Sequence, residues 1–175
     1  TVFSDNTAET EENCASIEFK YFETNNIAKY RFFDINTPEK VSRKGRGGVK
    51  FMAADAAVLY LYIDVADDYI YAPDGTEVKV SVDYYDEGGG YFTLQYGSVE
   101  GDYYQPDDYV WLENTKEWKT HEFIIDGAKF TGQCAGYDLR LAEWSLKHGR
   151  SKEDVIFGGI KIEKLPPKLL NPLMS

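Results

Sequence analysis

Cysteine and histidine are scarce, with two of each among 175 residues. Cys14 and Cys134 lie far apart in sequence, and with only His121 and His148 beside them they offer neither zinc-ligand spacing nor an HExxH-like pair. A disulfide between the two cysteines in an oxidising compartment and two separate thiols are equally open readings, because no spacing rule decides between them. Positive charge is also short: 19 Lys and Arg against 30 Asp and Glu leave a net charge of −11. That balance repels phosphate backbones and anionic membrane surfaces, and argues against nucleic acid as a partner. No apolar run approaches the ~18 to 20 residues of a bilayer span, and no charged-then-apolar leader opens the chain. The first residue is Thr1, so the sequence reads as an excised or processed piece. GxSxG, GxGxxG and GxxxxGK[ST] patterns are missing, which leaves no marked serine nucleophile and no phosphate cradle.

What is present is aromatic. Tyr, Phe and Trp make up 15% of the chain, with 14 tyrosines, 10 phenylalanines and 3 tryptophans. Such rings crowd both β-sheets and wet binding surfaces. The length suits one domain large enough for a real core. We read residues 1–14 as an N-terminal extension, 15–164 as the domain, and the Pro-containing 165–175 as a linker.

Alternation with period two runs from Ala15 onward and helical periodicity is absent, so the chain reads as all-β. In residues 15–22, Ile17, Phe19 and Tyr21 share a face. Residues 30–35 form a less regular candidate. In 57–64, Leu59, Leu61 and Ile63 oppose Val58, Tyr60 and Tyr62. In 77–85, Val78, Val80, Val82 and Tyr84 point to the core. The turn-forming run 86–90 then predicts a β-hairpin with 91–96, where Phe92, Leu94 and Tyr96 alternate with Tyr91, Thr93 and Gln95. Further strands are expected at 117–125, 137–144 and 154–163, with Trp118 read as a core residue. Many short strands divided by turns argue for a two-sheet antiparallel β-sandwich of the jelly-roll kind. Residues 41–52, with Arg43, Lys44, Arg46 and Lys50 around three glycines, read as a flexible basic loop that either is merely solvated or clamps anionic groups.

Residues 101–112, GDYYQPDDYVWL, place Tyr103, Tyr104, Tyr109 and Trp111 in an acidic, Pro-containing segment. Facing inward, these rings would seal the sandwich; facing outward, they would offer a platform to the C–H faces of sugar rings. Thirty carboxylates could also hide a glycosidase pair or oxygen ligands for Ca²⁺, but no DxDxDG loop fixes a site.

The succession VKVSVDYYDEGGGYFTLQYGS, EWKTHEFIIDGAKFTG, GYDLRLAEW and DVIFGGIKIEK resembles the jelly-roll, non-catalytic carbohydrate-binding modules appended to bacterial enzymes that degrade plant polysaccharides. The likeness spans roughly residues 59–164. It implies a sugar site on a concave sheet face or in a loop-rimmed cleft, a secreted or cell-surface location, a covalently linked catalytic module, and no required cofactor beyond an optional structural Ca²⁺.

Outward faces of the expected strands supply the remaining candidates: Tyr60, Tyr62, Tyr85, Tyr91, Gln95, Asp138, Arg140 and Trp144. With Tyr103, Tyr104, Tyr109 and Trp111 they form the expected ligand-binding set, with Arg140, Asp138 and Gln95 bonding hydroxyls. Arg140 paired to Asp138 is the plainer structural alternative. The expected ligand is a plant cell-wall polysaccharide of β-glucan, xyloglucan, mannan or xylan type, without catalytic residues. A polysaccharide lyase or glycosidase on the same fold, and a structural or adhesin domain, are the alternatives.

Overall fold

The computed structural model describes residues 13–33, 38–51 and 60–166. Fifteen strands lie within them, in chain order β1 (Ala15–Glu18), β2 (Glu23–Asn25), β3 (Ile27–Phe33), β4 (Glu39–Arg43), β5 (Arg46–Phe51), β6 (Tyr60–Val65), β7 (Thr76–Tyr85), β8 (Tyr91–Ser98), β9 (Gly101–Tyr104), β10 (Val110–Trp111), β11 (Trp118–Ala128), β12 (Leu139–Ala142), β13 (Trp144–Ser145), β14 (Gly149–Arg150) and β15 (Val155–Lys164). Most of the extension 1–14, the end of the linker 165–175, Val58 and Leu59 lie outside the described residues.

Two antiparallel layers form a jelly-roll sandwich. The first runs β2-β1-β15-β7-β11, with the β4-β5 hairpin on the other half of β15; the second runs β3-β6-β12-β8, with β9 and β10 along the far edge of β8. A single pairing, Ala128 with Ser98, joins the layers. The alternation seen in the sequence decides which side of each strand is inward. Leu61, Ile63, Phe92, Leu94, Leu139 and Leu141 from the second layer meet Val78, Val80, Val82, Phe123, Ile125 and Ile160 from the first, all essentially sealed from solvent. Phe157 reaches across, its ring centre 4.9 Å from both Phe51 and Phe92.

Three expectations change. β7 and β8 are not a hairpin: β7 pairs with β11 and β15, β8 with β12, β9, β10 and the end of β11, and residues 86–90 cross between the layers. Alternation fixes a strand's inward face but not its partner. Buried Asp86 organises the crossing, accepting from the amides of Glu113, Asn114 and Thr115, from the Thr115 hydroxyl and from Lys119 Nζ at 2.9 Å.

The expected basic loop is instead a tight hairpin. Lys44 and Gly45 both take positive φ (48° and 78°), the two-residue turn that matches strand twist. Its arginines are occupied: Arg43 pairs with Glu87 at 3.2 Å, and Arg46 lies between Asp83 at 2.9 Å and Glu18 at 3.4 Å. Trp118, expected in the core, lies half-buried on the outer face of the first layer, opposite Tyr85. It sits an odd number of residues before inward Phe123, and odd offsets change faces.

No disulfide joins Cys14 and Cys134. Cys134 is buried, its thiol donating to the Asp102 carbonyl at 3.0 Å, and burial pushes that thiol up to about 12.

Candidate functional site

The outer face of the second layer gathers most of the expected residues. Register sets Arg31, Tyr62, Arg140 and Gln95 in one row across β3, β6, β12 and β8, and Phe33, Tyr60, Ala142 and Thr93 in the next. Tyr103 of β9 leans over the first row from the edge.

Arg140 is the centre of this face. Its guanidinium carbon lies 3.7 Å from the centre of the Tyr60 ring and 4.1 Å from that of Tyr103, so both flat sides are covered by phenols. Nε donates to Gln95 Oε1 and Nη1 to the Tyr62 hydroxyl, each at 2.6 Å. A guanidinium carries five N–H groups, so three remain without a protein acceptor among the described residues. Burial pushes the Tyr103 hydroxyl up to about 12, the neighbouring Tyr62 phenol adding to the shift and Arg140 opposing it. Tyr60 is raised for the same first reason, again with Arg140 acting against it. Both rings therefore present neutral hydroxyls at ordinary pH.

The expected Arg140–Asp138 ion pair is not what the structure holds. Asp138 is buried, and its two carboxylate oxygens accept from the Val65 amide (2.8 Å) and the Gly132 amide (2.9 Å), which pins the loop before β12 to the end of β6. Burial and the adjoining Asp64 carboxyl raise it to about 7. It is a structural residue and is unavailable to a ligand. Gln95 lies on the correct face but is also buried, its carbonyl on Arg140 and its amide on Gln105 Oε1 at 2.8 Å. It aims the arginine, and its burial keeps it from a ligand's hydroxyls.

A second ring cluster lies further along β8. Trp111 of β10 faces Tyr91 in the register and stacks on it, centres 4.6 Å apart. Tyr91 is sealed beneath, bonded to Ser145 Oγ at 3.0 Å and to the Gly149 carbonyl, while Trp111 keeps 51% of its surface exposed. His148 stands edge-on to Tyr109 at 4.5 Å and to Trp111 at 5.2 Å. Four residues of β8 separate the levels of Gln95 and Tyr91, about 13 Å at 3.3 Å per residue, so Tyr103 and Trp111 can underlie a chain of sugar rings rather than one.

Other expected residues fall elsewhere. Tyr85 is on the outer face of the first layer, buried against Trp118 with its hydroxyl on the Lys116 carbonyl, because β7 belongs to the other sheet. Tyr104 alternates away from Tyr103 and packs edge-on against inward Tyr96 at 5.5 Å, at the rim of the sandwich. Trp144 is half-buried on β13 opposite Arg150. The sequence reading missed Arg31, Phe33, Gln105 and His148. The period-two pattern of β3 could have placed the first two, whereas Gln105 and His148 are in connections and join the face only through tertiary contact.

The outer face of the first layer forms a groove of about 510 Å³ lined by Ser16, Glu18, Ser81, Asp83, Thr120 and Gly159. Two of its carboxylates are engaged: Arg46 bridges Glu18 and Asp83, and Thr120 Oγ1 donates to Asp83 at 2.6 Å. His121 is bonded to Asp108 at 2.9 Å and lies against Phe123. Among the described residues no group of three or more His, Cys, Asp or Glu could hold a metal ion, and no helix is long and apolar enough to cross a membrane.

No family model and no curated protein matches the sequence. Solved structures do match the fold. The xylan-binding domain CBM22-1 from Paenibacillus barcinonensis superposes with a TM-score of 0.51 at 11% identity, over 87% of this chain and 94% of that one. CBM35 from Paenibacillus barcinonensis gives 0.50 at 10% identity, over 86% and 98%. BiXyn10A CBM1 gives 0.50 at 14% identity, over 86% and 96%. The chain thus has the β-sandwich jelly-roll fold that these carbohydrate-binding modules share.

Proposed function

We propose that this chain is a non-catalytic carbohydrate-binding domain that holds a plant cell-wall polysaccharide, of β-glucan, xyloglucan, mannan or xylan type, along the outer face of the second layer. The observation that carries this reading is the pairing of two exposed rings, Tyr103 and Trp111, with a fixed guanidinium that keeps unpaired donors between stacked phenols. Rings take the C–H faces of sugars, and the guanidinium edge takes their hydroxyls. The common fold with modules of known glycan binding supports it.

The magnitudes are consistent with a module. One stacked ring that removes ~60 Å² of apolar surface contributes about 1.5 kcal/mol at ~25 cal/mol/Å². Two or three such contacts, about 3–4.5 kcal/mol, together with a few hydrogen bonds and less the cost of ordering the glycan, correspond to dissociation constants between about 1 µM and 1 mM. An affinity of that order becomes effective through avidity, as when the domain is tethered to an enzyme that acts on the same polymer outside a bacterial cell. A structural Ca²⁺ has no part in this reading.

Affinity electrophoresis against a panel of soluble plant polysaccharides tests it directly. Retardation by at least one polymer, relieved in Trp111→Ala, is expected. Free migration through every polymer rejects the proposal.

A further inference from the structure

The arginines of the aromatic face differ from those of the β4-β5 hairpin. Arg43 and Arg46 are both neutralised by carboxylates in contact. Arg31 and Arg140 meet no carboxylate among the described residues, and they occupy one row of the second layer with only Tyr62 between them. At about 4.8 Å per strand their backbones stand roughly 10 Å apart.

The chemistry at each is specific. With Tyr60 and Tyr103 against the Arg140 guanidinium, Nε tied to Gln95 and one N–H of Nη1 on the Tyr62 hydroxyl, the part left for a ligand is the second N–H of Nη1 and the two of Nη2. One N–H from each nitrogen makes a planar fork that matches the two oxygens of a carboxylate. Gln95 is held in turn by Gln105, so the fork is set before a ligand arrives. Arg31 is exposed, its guanidinium 5.5 Å from the Phe33 ring, and adds positive potential to the same row. A neutral glycan needs none of this charge.

We propose that the polysaccharide recognised here carries carboxylates, that is, uronic-acid units, and that Arg140 binds a uronate carboxylate as a bidentate fork with Arg31 supplying a second cationic contact. This rests on the carbohydrate-binding reading and narrows it to acidic glycans.

The test compares matched polymers that differ only in charge: glucuronoxylan with its carboxyl-reduced form, and polygalacturonate with its fully methyl-esterified form. Hydrogen bonds to charged groups contribute about 1.5–3 kcal/mol, so at least one acidic polymer should bind roughly 10- to 100-fold tighter than its neutral counterpart. Arg31→Ala, at an exposed position, should reduce that ratio several-fold, and Arg140→Lys should remove most of it while the far-ultraviolet circular dichroism and melting temperature stay near those of the parent. If Arg140→Lys proves poorly folded, the Arg31→Ala ratio decides. Equal binding of acidic and neutral forms overturns the uronate assignment and leaves the carbohydrate reading intact. Binding of neither form, nor of any polymer in the wider panel, overturns both. An acidic preference unchanged in both variants overturns the roles given to these arginines.

Discussion

Trp111 lies nearly flat on Tyr91, ring centres 4.6 Å apart and planes inclined by 25°, with Tyr91 sealed and Trp111 half in solvent. The lower ring serves the fold and the upper one is free for a ligand, although both look alike in sequence.

Substitutions should separate these roles. Trp111→Ala is expected to lower glycan affinity about tenfold, the equivalent of about 1.5 kcal/mol for one lost stacking surface, with little change in melting temperature. Tyr91→Ala removes a buried ring together with its hydroxyl's bonds to Ser145 Oγ and the Gly149 carbonyl, and should cost about 3–5 kcal/mol of stability. Calorimetric titration and denaturant unfolding of the two variants distinguish them; a Trp111→Ala protein with unchanged affinity would show the exposed ring to be idle.

Asp86 is the polar anchor of the crossing between β7 and β8. Burial acts to raise its carboxyl, but the Thr115 hydroxyl, Lys119 and the Glu113 and Thr115 amides outweigh that and hold it well below the usual carboxylate range. Asp86→Asn should cost about 2–4 kcal/mol, since it sets an NH₂ among groups that are themselves donors. Because its folded value is lowered, the stability it contributes is present above about pH 4 and lost as the pH falls further. Unfolding midpoints of wild type and variant should therefore converge in strong acid.

Two other carboxyls act in the opposite direction. Glu143 is buried in the bend just after β12; burial raises it well above the ordinary value, with Asp154 adding to the shift and the Val155 amide opposing it. Asp138 is raised to about 7. An acid whose folded value is raised holds its proton after the unfolded chain has released it, so stability falls as pH rises from about 4 towards 7 for Asp138, and further still for Glu143. Glu143→Gln should raise the melting temperature at pH 8 and leave it nearly unchanged at pH 4. A gain of equal size at both pH values would contradict this account.

At Gly48 the backbone of β15 leaves no room for a side chain. A Cβ there would stand 2.6 Å from the Phe157 carbonyl oxygen, an atom fixed in the β5-β15 ladder. Gly48→Ala should destabilise by about 1–3 kcal/mol. Gly101→Ala, where a Cβ meets nothing within 4 Å, should be close to neutral in the same thermal assay.

Period-two alternation was enough to show from the sequence that Leu61, Val80, Phe92 and Ile160 are inward and Tyr60, Tyr62 and Arg140 outward, because side chains of a strand change sides at every residue. Partner choice lay beyond that pattern: it placed Tyr85 and Tyr60 alike as outward, yet β7 and β6 belong to opposite layers, and only long-range pairing separates them. The fates of Asp138, Gln95 and Trp111 were also tertiary decisions. Whether an outward group is spent on a neighbour or left for a ligand depends on which connection crosses it, and that is settled by the packing of segments dozens of residues apart.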